Sequence, residues 1–191
     1  MEHYWGTIPH WFNYEHVFRN VVAWGKDGYK FLEIGVWRGA SSAYMGVEII
    51  NSGKKITFDA VDSFAPSKEL NEEALVGVEE MAIKNLKPLT DIGVVNLIKG
   101  YSLDVVKNYE DESLDFVFID GSHDYDDVRD DILAWLPKVK KTGIIGGHDY
   151  GKKDDNACGV QQAVDEIFGK ENVIIHESTS WIFSYDKNFV I

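Results

Sequence analysis

Short apolar, β-branched runs alternate with amphipathic stretches along most of this chain. Lys30-Phe31-Leu32-Glu33-Ile34 has the length and composition of a strand, and over residues 41–50 the apolar Ala43, Val47 and Ile50 recur at helical spacing. A second strand is expected over residues 56–62. A polar-rich piece follows it, with a helix over about 72–85 that Pro88 should end. The pattern then predicts strands over 94–98 and 114–120, a helix over 126–136 stopped by Pro137, a strand over 143–147 and a helix over 159–168. Residues 173–176 and 181–185 close the chain as two more strands. Only residues 177–180 separate them, too few for a crossover helix, so this pair should form an antiparallel hairpin.

Strands alternating with helices argue for an α/β fold: a doubly wound, mostly parallel sheet with helices on both faces. No repeat or low-complexity linker divides the chain, and residues 1–191 are expected to form a single domain. Residues 1–28 stand apart, holding three of the six tryptophans (Trp5, Trp11 and Trp24) before any strand begins. They are expected to form either a lid over the sheet's end or a helix that completes the core.

Composition narrows the partners. Apolar residues make up 45% of the chain, well above what disorder allows. The 32 acidic against 19 basic side chains give a formal net charge of -13, a surface that repels phosphate backbones and disfavours nucleic acid. Lys138, Lys140 and Lys141 form the one visible basic cluster and read as the solvated end of a helix. Cys158 is the only cysteine, so no intrachain disulfide is expected and a cytoplasmic location is the default. The first residues lack a signal-peptide pattern, and no run approaches the ~18 apolar residues that would suggest a membrane span.

Candidate chemistry lies where strands end, which in open α/β sheets is where ligands bind. The first strand runs into Glu33-Ile34-Gly35-Val36-Trp37-Arg38-Gly39-Ala40-Ser41-Ser42. Gly35 and Gly39 permit a sharp turn at the opening of a helix, although such turns also serve packing alone. Trp37 stands where a dinucleotide fold needs a second glycine for its pyrophosphate, which argues against NAD. A glutamate at this strand end suits a ligand with an ammonium group. Asp62 ends the second strand, where an acid can bond ribose hydroxyls or cap a turn. Gly100-Tyr101-Ser102 follows the third strand and offers a close backbone turn with a hydroxyl.

With these three strand ends the chain resembles the class I S-adenosylmethionine-dependent methyltransferases from Lys30 to its C-terminus, including the final hairpin. The resemblance implies a seven-stranded Rossmann-like sheet of order 3-2-1-4-5-7-6. It also implies that the Glu33–Gly39 loop receives the methionine part of the cofactor, Asp62 the ribose, and Gly100, Tyr101 and Ser102 the adenine. Ser41, Ser63 and Asp120 would lie beside the same cofactor.

Two further segments carry candidate reaction chemistry. Asp120 opens Asp120-Gly121-Ser122-His123 after the fourth strand, and His148-Asp149-Tyr150 follows the fifth. Asp120, His148 and Asp149 should converge into a site for a divalent ion such as Mg²⁺. His123, three residues beyond Asp120, is placed to act as general base on a substrate hydroxyl, or else to cap the loop. This pattern resembles cation-dependent O-methyltransferases, closest to the bacterial sugar and macrolide enzymes. His148 departs from it by standing where those enzymes carry an acid, and is either a ligand or a group that orients the loop. Asp124, Asp126, Asp127, Asp130 and Asp131 read as helix capping and solvated surface, and His3, His10 and His16 fall in the N-terminal segment.

The expectation is therefore a methyltransferase acting on a hydroxylated small molecule, with a homo-oligomer open. The alternatives are a metal-independent methyltransferase relying on His123 and a non-catalytic nucleotide-binding module.

Overall fold

The computed structural model describes residues 1–68, 70–151, 158–176 and 179–186. Seven strands form one sheet: β1 (Lys30–Ile34), β2 (Thr57–Asp62), β3 (Val95–Lys99), β4 (Leu114–Ile119), β5 (Val139–Gly147), β6 (Ile174–Ile175) and β7 (Trp181–Ser184). Their order is β3-β2-β1-β4-β5-β7-β6, as expected. The first five run parallel, and β7 pairs antiparallel with both β5 and β6. Among the described residues six α-helices accompany them: α1 (Glu15–Trp24), α2 (Ala40–Ser52), α3 (Val78–Thr90), α4 (Ser102–Val105), α5 (Tyr125–Trp135) and α6 (Cys158–Phe168).

Strand alternation sorts the core into two layers. On one face Phe31, Phe58, Phe116 and Phe118 meet Val17, Phe18 and Val21 of α1, Met45 and Val47 of α2, and Leu86 and Leu89 of α3. On the other, Leu32, Val117 and Ile145 meet Val128, Ile132 and Trp135 of α5, and Val160 and Val164 of α6. Each fully buried Phe or Leu is worth ~1.5–3 kcal/mol, so both layers are needed to hold the sheet. The N-terminal helix thus completes the core, while the segment ahead of it crosses the strand ends.

Two expectations are corrected. The helix after β2 starts at Val78, because Gly77 at φ 74° breaks the preceding turns, and it runs through Pro88 to Thr90. Proline carries a helical φ and removes only one hydrogen bond near the helix end, where buried Leu86 and Leu89 anchor the last turn. Of the lysine cluster, Lys138 ends a 3-10 turn after α5, whereas Lys140 and Lys141 do not end a helix. Lys140 lies in β5, and its Nζ pairs with Asp115 Oδ1 at 2.8 Å, neutralising a carboxylate that is only 2% exposed. Asp115 also accepts from the backbone N of Lys30 at 2.9 Å, tying β4 to the start of β1.

Candidate functional site

At the carboxyl ends of the central strands the chain turns sharply after β1. Gly35 has φ 94°, and a Cβ there would lie 2.0 Å from the backbone oxygen of Asp120. Only glycine lets the β1 and β4 ends come this close. Trp37 also adopts a left-handed φ of 51°, and Gly39 caps α2 at φ 88°. Asp62 at the end of β2 holds the turn: its Oδ2 accepts from the backbone N of Val36 at 2.8 Å and of Trp37 at 2.9 Å. Its Oδ1 accepts from the backbone N of Phe64 at 2.7 Å. The residue singled out for ribose thus also clasps the loop. Ser63 is engaged locally, accepting from the backbone N of Ala65 at 3.2 Å.

Glu33 is the most unusual group at this end. Alternation along β1 puts it on the same face as Phe31, toward the first turn of α2, and it is fully buried. Ser42 donates to its Oε2. Ser41 lies close enough to favour the charged form, but no well-formed hydrogen bond reaches Oε1. Burial pushes its pKa up to about 8; the two serines oppose the shift, and the charges of Asp120 and Asp62 add to it. A buried carboxylate oxygen with spare acceptor capacity beside a glycine turn suits a ligand that brings an ammonium group.

After β3, where the resemblance led adenine to be expected, the structure gives Ser102 an internal task. Its Oγ accepts from Trp135 Nε1 at 2.7 Å, and it supports the buried Asp131, whose pKa is raised to about 6 mainly by burial. Tyr101, 62% exposed, is the side chain of this turn that faces outward, and the Gly100 backbone N donates to the carbonyl of Asp62 at 2.9 Å. Asp131 is a correction, being buried rather than solvated. Asp124 is the helix cap expected of it, with its side chain accepting from the backbone N of Asp126.

At the reaction end, one ligand atom each of Asp120, His123 and Asp149 lies within 4.8 Å of the others. His123 Nε2 is 2.6 Å from Asp149 Oδ2. Asp149 takes a left-handed φ of 63°, a strained conformation for a non-glycine residue that is kept where surrounding structure enforces it. The sequence expectation put His148 in the ion-binding set with Asp120 and Asp149; the ligand atoms that cluster are those of Asp120, His123 and Asp149, and His148 lies against both carboxylates. His148 is 5% exposed, with Nε2 2.9 Å from Asn13 Oδ1 and Nδ1 3.1 Å from Asp149 Oδ1 and 3.6 Å from Asp120 Oδ1. Both ring nitrogens face oxygens, the placement of a group that orients carboxylates. The Asp120 pKa is raised by burial; His148 opposes this, and the charge of Asp149 adds to it.

Two residues went unnoticed in the sequence. Tyr14 donates from its hydroxyl to Asp120 Oδ2 at 2.7 Å, and Asn13 contacts His148. Their neighbour Trp11 stacks on Trp37 with ring centroids 5.2 Å apart. No motif marks them, because the contact spans 106 residues. His3, His10 and His16 stay in the N-terminal layer: His3 pairs with Glu48 at 2.7 Å, His10 packs edge-on against Trp5, and His16 lies beside His176.

Comparison with known proteins agrees with this geometry. A family profile described as "Methyltransferase domain" matches residues 32–150, more than half of the chain. A search of curated proteins found no match. Among solved structures, the O-methyltransferase NovP is 19% identical with a TM-score of 0.65, covering 89% of this chain and 78% of its own. CalS11, a TDP-rhamnose 3'-O-methyltransferase of calicheamicin biosynthesis, is 12% identical with a TM-score of 0.58, covering 91% and 77%. A SAM-dependent O-methyltransferase from Thermotoga maritima is 14% identical with a TM-score of 0.56, covering 87% and 53%. At such identities the likeness is one of fold. No helix among the described residues is long and apolar enough to cross a membrane. The family match, the strand order and the Glu33–Gly39 turn agree, and the chain belongs to the methyltransferase-domain family of class I S-adenosylmethionine-dependent methyltransferases.

Proposed function

We propose that the protein methylates a hydroxyl oxygen of a sugar or other polar small molecule, assisted by a divalent cation such as Mg²⁺. The observation that carries this reading is the meeting of Asp120, His123 and Asp149 beside the Glu33 loop. The two carboxylates suit Mg²⁺ or Mn²⁺, leaving the imidazole of His123 to act on the acceptor. A cation held there would supply charge stabilisation to an acceptor oxygen.

The chain's own residues divide the rest of the work. Glu33 receives the ammonium of the methionine part, and the backbone from Gly35 to Gly39, with Ser41, surrounds it. Asp62 and Ser63 serve the ribose, while Gly100, Tyr101 and Ser102 border the adenine. In the transfer an O–CH₃ bond forms as the S–CH₃ bond breaks, leaving S-adenosylhomocysteine. His123 takes the acceptor proton, and orientation of acceptor and methyl group supplies most of the acceleration. The sugar in this reading takes its support from the likeness to CalS11. The net charge of -13 favours a small acceptor over nucleic acid.

A second reading rests on the 2.6 Å contact between His123 and Asp149. A base oriented by a carboxylate is complete without a metal, and His123 alone would then deprotonate the acceptor.

The first test is thermal unfolding with S-adenosylmethionine, S-adenosylhomocysteine and NAD, each with Mg²⁺ and with EDTA. A ligand at 100 times its Kd stabilises by about 2.7 kcal/mol, worth roughly 5–10 °C here. Shifts with both sulfur ligands and none with NAD are expected. Methyl transfer to a panel of sugars that stops in EDTA and returns with Mg²⁺ supports the cation-assisted reading; unchanged turnover in EDTA supports His123 alone. No binding of either sulfur ligand sinks both.

A further inference from the structure

We infer that Tyr14 is a positioning residue for the reaction site, supplied by the N-terminal segment from outside the stretch that the family profile matches. This rests on the reading of Asp120 as a cation ligand. The family match begins at residue 32, yet the hydroxyl of Tyr14 donates to Asp120 Oδ2 at 2.7 Å. Tyr14 is 1% exposed, and its ring is gripped by Phe12, Phe18, Phe118 and the ring of His148, with centroids 4.6, 5.1, 4.8 and 4.8 Å away. A hydroxyl fixed so firmly leaves Asp120 few orientations.

The consequences for Asp120 are specific. With Oδ2 bonded to Tyr14, its other oxygen, Oδ1, is the one turned toward His148, 3.6 Å from Nδ1. Asn13, adjacent in the chain, holds the far side of that imidazole at 2.9 Å. Two consecutive residues therefore constrain the carboxylate and its neighbour, as partners behind a metal ligand do when they fix its rotamer. A buried tyrosine hydroxyl needs a partner, and the partner here is the carboxylate that the proposed function assigns to the cation.

The test is Tyr14→Phe, which keeps the ring and removes the hydroxyl. Mn²⁺ binding is followed by electron paramagnetic resonance and S-adenosylhomocysteine binding by calorimetry. Tyr109→Phe is the control, since it removes another tyrosine–aspartate bond (2.6 Å to Asp59) in the middle of the sheet. The expected result is Mn²⁺ affinity lowered by about tenfold or more in Tyr14→Phe, with S-adenosylhomocysteine affinity and the control's Mn²⁺ affinity unchanged. Asn13→Ala should weaken Mn²⁺ binding in the same direction, which covers the case in which Tyr14→Phe fails to fold. Mn²⁺ affinity unchanged in Tyr14→Phe, or lowered equally in the control, overturns the inference while leaving the cation reading in place. If the unaltered protein binds no Mn²⁺, the cation reading falls, and this role falls with it.

Discussion

The two ends of the site are built on different plans. At the cofactor end, Glu33, Gly35, Gly39, Ser41 and Ser42 lie within one turn of chain, and nearly every contact runs between β1, α2 and Asp62. At the reaction end, Asp120, His123, His148 and Asp149 come from two loops, and Tyr14 and Asn13 reach them from the start of the chain. A local plan fixes ligand geometry through backbone conformation. A dispersed plan fixes it only when the whole core has formed. The cofactor end should therefore tolerate changes in the N-terminal segment, whereas the reaction end should not.

The hardest break removes the point that joins the two ends. In Gly35→Ala a methyl group would meet the backbone of Asp120 at 2.0 Å with φ at 94°, and no flexible side chain can give way. A loss of more than about 3 kcal/mol is expected in urea unfolding, with both binding functions lost together. Next in size, Glu33→Gln should weaken S-adenosylmethionine by about 10- to 100-fold in calorimetry, the range for a lost charged hydrogen bond, while Mn²⁺ binding persists. If both ligands weaken equally, the two-plan comparison fails.

The same glutamate gives a pH signature of a few kcal/mol. Its pKa is raised from 4.5 to about 8 by burial, so its contribution to stability is full below pH 4.5 and is lost as the pH rises through 8. Asp131, raised to about 6, acts the same way over a lower window. The ligand-free protein should therefore lose stability between pH 5 and 9, and Glu33→Gln should flatten most of that slope. An equally steep slope in the variant would show that the buried charge lies elsewhere. The smallest effect is expected from Trp11→Ala. Trp11 is 71% exposed and stacks on Trp37, so its loss should cost about 0.5–1.5 kcal/mol, or roughly 1–6 °C.

The contrast also explains what could be read from the sequence. The strands and the helices on both faces followed from periodicity, because a strand covered on both faces must be apolar, whereas the strand order followed from the family resemblance. The Glu33–Gly39 turn was legible because its geometry needs glycine at fixed places. Asp120, His123 and Asp149 were visible as polar residues at or just after the ends of apolar strands, but the packing of His148 against both carboxylates was not. How the two imidazoles meet the carboxylates depends on the left-handed turn at Asp149 and on Asn13, which holds His148 from 135 positions away. Pro88 misled because its effect depends on whether later residues are buried, as Leu89 is. Lys140 misled because its partner Asp115 is a buried acid on another strand.

The Asp62 carboxylate accepts three backbone amides, those of Val36, Trp37 and Phe64. A carboxylate offers about four acceptor positions, so a ribose diol bound there draws on the same lone pairs that keep the glycine turn folded. Occupancy and loop rigidity thus compete for one group. On the proposed reading of Asp62 as the ribose acceptor, the loop would grip the carboxylate most tightly once the nucleoside has gone, coupling departure of the spent cofactor to tightening of the turn. A variant selected for a stiffer turn would release its product sooner and hold its cofactor less well.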